Sequence, residues 1–257
     1  MENLKYIYGP VSSWRLGKSL GIDLLSQTKK ICTFDCIYCQ INTKVFYTKK
    51  RKVYVTTEEI IKEIKMLSDV KIDYFTFSGS GESSLSKNLG EVIKEIKKIR
   101  KEPIAILTNS SLINQDDVKK DFLLADFISF KLDAWDQNSF EKINKPMPSI
   151  KFENILEEIK QFKKIYKGKL ALQIMFLEKN KKKSKELAKL ALEINPNEVQ
   201  INTPLRPSLC NPLSKENIDE IKKTFKGLEI VSVYEGICKK VKSLNPENTL
   251  KRRGKIF

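Results

Sequence analysis

Apolar positions in this chain recur with two alternating spacings from residue 57 onward. Ile60, Ile61, Ile64 and Leu67 share one face of a predicted helix over 57–67, with Thr57 as its cap. The run Tyr74, Phe75, Thr76 and Phe77 then reads as a buried strand over 73–78. Val92, Ile93, Ile96 and Ile99 restore helical spacing over 89–99. The alternation continues with strands over 104–107, 127–132, 170–177, 199–202 and 228–234, and helices over 115–124, 152–166, 182–192 and 215–225. Residues 21–25 read as a first short strand, and the segment before them as irregular.

Repeated strand–helix units imply parallel strands joined by right-handed crossovers. Six or seven units predict an α/β fold, a partial (βα)6 TIM-like barrel that stays open. No Gly-, Pro- or Ser-rich linker and no repeat interrupts the pattern. The 257 residues are read as one domain: an N-terminal segment over 1–18, the partial barrel over 19–235 and a basic C-terminal tail over 236–257. Sites in such barrels lie at the C-terminal ends of the strands. Those ends are polar here: Ser78-Gly79-Ser80-Gly81-Glu82, Thr108-Asn109-Ser110, Lys131 with Asp133, Gln173, and Asn202-Thr203-Pro204-Leu205-Arg206.

The formal net charge of +16 favours phosphate-rich or acidic partners, such as tRNA and acidic electron carriers. Solvated lysine faces on the helices explain the same excess without a partner. The chain has no histidine, which removes Ser-His and Cys-His catalysis and histidine-containing zinc sites. No apolar run is long enough to span a bilayer, and Met1-Glu2-Asn3-Leu4-Lys5 has no signal-peptide pattern, so a cytoplasmic location is expected. The five cysteines then read as thiols or metal ligands rather than as a disulfide framework.

Cys32, Cys36 and Cys39 are separated by three residues and then by two. Spacing this close lets one loop wrap three corners of an iron–sulfur cube and leave one iron open. The competing reading is a structural zinc site completed by Cys210 or Cys238, although only one C-x-x-C knuckle is present. The glycines of Ser78-Gly79-Ser80-Gly81-Glu82 let a ligand approach the backbone, and Glu82 offers a partner for an ammonium group.

The cysteine run, with Tyr38 as the aromatic before its last thiol, resembles the radical S-adenosylmethionine (radical SAM) superfamily. The glycine turn and the partial barrel are similar to that superfamily too. The opening run Tyr8-Gly9-Pro10-Val11-Ser12-Ser13-Trp14-Arg15-Leu16-Gly17-Lys18-Ser19-Leu20-Gly21-Ile22-Asp23, the turn Phe77-Ser78-Gly79-Ser80-Gly81-Glu82 and the stretch Asn202-Thr203-Pro204-Leu205-Arg206-Pro207 resemble a subgroup related to wyosine-type tRNA-modifying synthetases. The subgroup usually has Pro and Arg where this chain has Ser12 and Trp14, and Pro-Thr where it has Ser83-Ser84. No cysteine precedes Cys32, so the second cluster of the 4-demethylwyosine synthases has no ligands here.

The resemblance implies a [4Fe–4S] cluster on Cys32, Cys36 and Cys39, with S-adenosylmethionine chelated by the open iron. It implies that Glu82 holds the methionine ammonium against a wall of Gly79, Ser80 and Gly81. Asn109 and Ser110 would touch the ribose or methionine end, Lys131 the carboxylate, and Tyr38 the adenine. Asn202, Thr203 and Arg206 would sit nearer the substrate, and Arg15 would face the cluster or an anionic substrate. Lys131, Arg206 and Cys210 are the catalytic candidates. A ferredoxin- or flavodoxin-type protein would donate the electron. Structural roles compete at each place: Asn109 as a turn closer, Asp133 or Glu82 as the counter-ion of Lys131, Gln173 as a core amide, and Cys210 and Cys238 as inert thiols.

The implied activity is reductive cleavage of S-adenosylmethionine and hydrogen abstraction from a substrate, with a tRNA base, a protein and a small metabolite as alternatives. A non-enzymatic iron–sulfur or zinc nucleic-acid-binding module is the competing class. Basic runs at Lys49-Lys50-Arg51-Lys52, flanked by Phe46, Tyr47 and Tyr54, and at Lys251-Arg252-Arg253-Gly254-Lys255 are candidate RNA or ferredoxin contacts. Lys179, Lys181-Lys182-Lys183 and Lys185 read rather as a solvated loop.

Overall fold

The computed structural model describes residues 4–41, 43–67, 70–236 and 239–253. The chain opens with an antiparallel pair, β1 (Ile7–Ser13) and β2 (Gly17–Ile22). A small parallel pair follows, β3 (Lys30–Cys32) with β4 (Val45–Tyr47). The main sheet then adds β5 (Tyr74–Phe77), β6 (Ile104–Thr108), β7 (Phe127–Lys131), β8 (Lys169–Met175), β9 (Glu198–Asn202) and β10 (Ile230–Ser232). Its order is β1-β2-β5-β6-β7-β8-β9-β10, parallel from β2 onward, and it curls into an open half-barrel.

The helices are α1 (Thr57–Lys65), α2 (Leu89–Ile99), α3 (Asp116–Phe122), α4 (Gln137–Ile143), α5 (Phe152–Ile165), α6 (Ser184–Ile194), α7 (Lys215–Lys222) and α8 (Pro246–Arg253). The apolar faces of α1 to α7 are buried, whereas α8 buries only Arg252. Phe122 of α3, Phe130 of β7 and Phe162 of α5 meet at centroid distances of 5.6–6.2 Å, two of the three contacts edge-on. The α/β pattern and its parallel strands are thus as predicted. Among the described residues, no helix is long and apolar enough to cross a membrane.

Local details differ. Thr56, not Thr57, caps α1, in a reciprocal box with Glu59. The first barrel strand ends at Ile22, because Asp23 turns its carboxylate back onto the Leu25 amide and the chain leaves the sheet. The N-terminal segment, expected to be irregular, supplies the edge strand β1. Its Gly9-Pro10 pair sits where the register shifts between Tyr8 and Val11, since proline cannot donate to the ladder.

The basic tail also departs from expectation. Residues 246–253 form α8, which packs on β1 and buries Arg252, while 254–257 and Cys238 lie outside the described residues.

Candidate active site

The cysteine loop leaves the small β3–β4 pair and is clamped on two sides. On one side, the Ile31 amide donates to the Ser80 carbonyl at 3.1 Å and the Glu82 amide to the Ile31 carbonyl at 3.0 Å. A Cβ at Gly81 would collide with that Ile31 carbonyl oxygen, so the glycine is what lets the two backbones meet. On the other side, the Asp35 amide donates to the carbonyls of Asn144 (3.1 Å) and Lys145 (3.0 Å), and the Ile37 amide to that of Ile143 at 3.0 Å. Phe34 anchors the loop edge-on against Phe140 at 5.1 Å.

The thiols face donors. The Phe34 amide (3.4 Å) and the Asn109 side-chain amide (3.6 Å) point to Cys32 Sγ, and the Asn144 side-chain amide to Cys36 Sγ at 3.5 Å. Burial pushes the Cys32 thiol up to about 12 and the Cys36 thiol up to about 11. Lys30 lies buried beside them and bonds Asp35 Oδ1 at 3.1 Å. Burial opposes its charge, but Cys39, Cys32 and Cys36 together raise its pKa. Buried sulfurs with amide donors and a nearby cation suit thiolates held by an iron–sulfur cluster. No three His, Cys, Asp or Glu side chains among the described residues converge as the ligands of a single metal ion would.

The glycine turn is bound mainly by protein. Ser80 donates its amide (3.1 Å) and its hydroxyl (2.7 Å) to Asp23. Gly79 has φ +150°, and a Cβ there would collide with the Asp23 carboxylate. Glu82 is buried and accepts from Thr108 Oγ1 (2.6 Å), the Asn109 amide (2.7 Å) and Ser84 Oγ (2.7 Å). Burial raises its pKa and these bonds oppose the rise. Asn109 also reaches Thr33 Oγ1 at 2.8 Å, and Ser110 stands at φ 67° with its hydroxyl buried and unpartnered. Ser80, Gly81, Glu82 and Asn109 therefore connect the cysteine loop to the strand ends, whereas Ser110 makes no bond to the loop among the described residues.

A cavity of about 380 Å³ opens inside the half-barrel. Cys39, Tyr38, Gly79, Lys131, Asn202, Thr203 and Arg206 all line it, as does Arg15 from the β1–β2 turn. Tyr38 donates to Asp133, and Lys131 Nζ stands over its ring at 4.9 Å. Burial and the adjacent Asp133 hold this phenol well above its usual range. Lys131 pairs with Asp133 Oδ1 at 3.2 Å and with Gln173 Oε1 at 3.2 Å, so Asp133 is its counter-ion. Cys210 is half-buried, packs beside Tyr38 and donates to the Ile37 carbonyl at 3.4 Å, against the cysteine loop but outside the cavity lining.

The residues 27–191, which hold the thiols and the glycine turn, match the model of the radical SAM superfamily. The chain belongs to that superfamily. Radical SAM proteins are enzymes that use a [4Fe–4S] cluster and S-adenosylmethionine. A UPF0026 protein of Synechocystis is 39% identical over 212 residues, 82% of this chain and 78% of its own. Among solved structures, Streptococcus suis SuiB bound to S-adenosylmethionine superposes with a TM-score of 0.58 at 13% identity, over 82% of this chain and 46% of SuiB. This radical SAM chain thus spans under half of SuiB's length. Archaeal TYW1 superposes with a TM-score of 0.57 at 15% identity, over 85% of this chain and 74% of its own. These structural likenesses are likenesses of fold.

Four residues not assigned to the radical SAM site from sequence complete it: Asp23, Lys30, Asn144 and Arg252, the last read as a surface cation of the basic tail. Lys30, two positions before Cys32, was open to inspection by its charge. Asn144 lies 108 residues beyond Cys36 and carried no such signal.

Proposed function

We propose that this chain is a cytoplasmic radical SAM enzyme that abstracts hydrogen from an RNA base, with a ferredoxin- or flavodoxin-type protein as electron donor. The observation that carries the reading is Cys39: the third thiol of the motif lines a cavity whose side chains, among the described residues, include five cations and no carboxylate. When bound, the cluster and S-adenosylmethionine supply a one-electron cleavage to methionine and a 5′-deoxyadenosyl radical, which takes a hydrogen atom.

In this reading Cys32, Cys36 and Cys39 hold three irons. Asn109, Asn144 and the Phe34 amide stabilise the thiolates, and Lys30 offsets their charge. Lys131 meets the methionine carboxylate, and Tyr38, braced by Asp133, borders the adenine. Gly79 lets the turn close on the Asp23 carboxylate, and the Glu82 network fixes the turn that meets the methionine ammonium. RNA is favoured by Phe46 and Tyr47, which are exposed on β4 beside Lys49 and Lys50 and next to the cysteine loop. Arg51 is not part of that surface. It is buried against Asp117 and Asp121 and donates to the carbonyls of Ser84 and Ser86, both at 2.8 Å.

Electron paramagnetic resonance of the anaerobically reconstituted, reduced protein tests the reading. A [4Fe–4S]⁺ signal that changes on adding S-adenosylmethionine, with 5′-deoxyadenosine formed when tRNA is present, is expected. A signal indifferent to S-adenosylmethionine would refute it.

A further inference from the structure

We propose that Arg15, Arg206 and Arg253 form a seat in the cavity for a phosphate group of the substrate. The inference deepens the reading above and rests on it. The three arginines come from distant parts of the chain: the β1–β2 turn, the loop after β9 and the last turn of α8. All three line the cavity, and Arg206 donates to the Arg253 carbonyl at 3.3 Å.

Of the cavity's cations, Lys131 is paired with Asp133 and Arg252 with Asp23. Arg15 and Arg206 have no carboxylate within ion-pair distance among the described residues. The carboxylate felt most by Arg15 is Glu198, which is bonded to Lys169 and Gln200. Arg15 Nε is buried with no hydrogen-bond partner, and so is the hydroxyl of Ser12, which lines the same cavity. Donors left unpaired in this way are costly, and a bound acceptor removes the cost.

Electrostatics agree with the geometry. Burial, then the charge of Arg253, lowers Arg15 to about 10, and burial, Arg253 and Arg15 lower Arg206 to about 9. The fold therefore crowds like charges out of water, an arrangement that an oxyanion relieves. A guanidinium fork matches phosphate oxygens in pairs. A phosphate presents non-bridging oxygens to both forks, whether as a monoester of charge about −1.5 to −2 or as the singly charged diester of an RNA backbone. The phosphate belongs either to a free nucleotide or to a nucleotide within RNA.

The test uses the reconstituted full chain, with inorganic phosphate as the probe. Thermal shift and calorimetric titration are run on wild type, R206Q, R206K and R15Q, against sodium chloride at equal ionic strength. The cluster's spectral response to S-adenosylmethionine is recorded in parallel. Phosphate should stabilise wild type beyond chloride, and R206Q should weaken its binding about tenfold or more, as expected for a lost charge-assisted contact. R206K, which keeps charge but not the fork, should fall between them. The response to S-adenosylmethionine should persist in every variant.

Phosphate binding unchanged by R206Q and R15Q, or matched by chloride, would overturn the seat. So would loss of the S-adenosylmethionine response together with phosphate binding, because the arginines would then hold the cofactor's carboxylate. A cluster that ignores S-adenosylmethionine even in wild type would instead refute the enzymatic reading, while phosphate binding would still report on the seat. Displacement of phosphate by a mononucleotide supports the free-nucleotide source, and displacement by tRNA alone supports the RNA source.

Discussion

Arg252 Nε stands 2.8 Å from Asp23 Oδ2, and both side chains are almost wholly removed from water. The same arginine donates to the Lys5 carbonyl (2.6 Å) and to Ser26 Oγ (2.7 Å) and lies over the Tyr8 ring at 5.6 Å. Asp23 in turn holds Ser80. One ion pair thus joins the last helix, the edge strand and the glycine turn.

Breaking that pair by R252M should cost about 3–5 kcal/mol, because Asp23 would remain buried without its cation. Denaturant unfolding of wild type and variant measures it. The accompanying expectation is a slower cleavage of S-adenosylmethionine, since Ser80 would lose its fixed acceptor. A change below about 1 kcal/mol, the range of exposed pairs, would show that the pair is not a structural link.

Gly81 should tolerate no side chain. In G81A the new Cβ meets the Ile31 carbonyl oxygen, a backbone atom that moves only if β3 moves. Iron bound per chain after reconstitution should drop sharply, with the sheet's circular dichroism retained. Gly227 is the control, since a Cβ there meets nothing within 4 Å, although its φ of +82° carries some strain of its own.

Lys30→Met should lower the reduction potential of the cluster. The change removes a buried positive charge beside three thiolates, and a less positive surrounding disfavours the added electron. N144L should act in the same direction by removing the donor to Cys36 Sγ. Redox titration followed by electron paramagnetic resonance checks both, and a rise in potential would contradict the placement of Lys30.

The metal-free protein should lose stability as pH rises. Cys32 and Cys36 have folded pKa values near 12 and 11, above an unfolded value near 9. The folded state therefore holds these protons more tightly. The stability this contributes is complete below pH 9 and is lost as pH climbs through 11 and 12. Melting temperatures of wild type and the C32S/C36S double variant should diverge above pH 9, with the variant less sensitive. Metal binding must displace the same protons, so apparent affinity for iron should increase with pH.

Much of the barrel was legible because parallel strands and amphipathic helices are written locally. A buried strand such as 74–77 needs apolar residues in succession, and α2 needs apolar residues three and four apart. Each signal survives without knowledge of the partner element. The edge strand β1 was hidden because Gly9-Pro10 interrupts its pattern. Helix α4 was too short to show a period. Helix α8 carries one leucine, Leu250, which stays exposed, and the residue it buries is Arg252, whose place depends on an ion pair and not on hydrophobicity.

The sequence alone determined the α/β alternation, the polar strand ends and the three closely spaced thiols, because each is a short-range pattern. Tertiary structure alone decided what the charged and glycine residues do. Arg51, Arg252 and Lys131 found carboxylates, while Arg15 and Arg206 were brought to one cavity with no carboxylate partner among the described residues. The reason is distance along the chain: Asp23 and Arg252 are separated by 229 positions. A charge seen in sequence is a full charge in either setting. Only folding sets its neighbours and its distance from water, and those decide whether it holds the fold together or waits for a ligand.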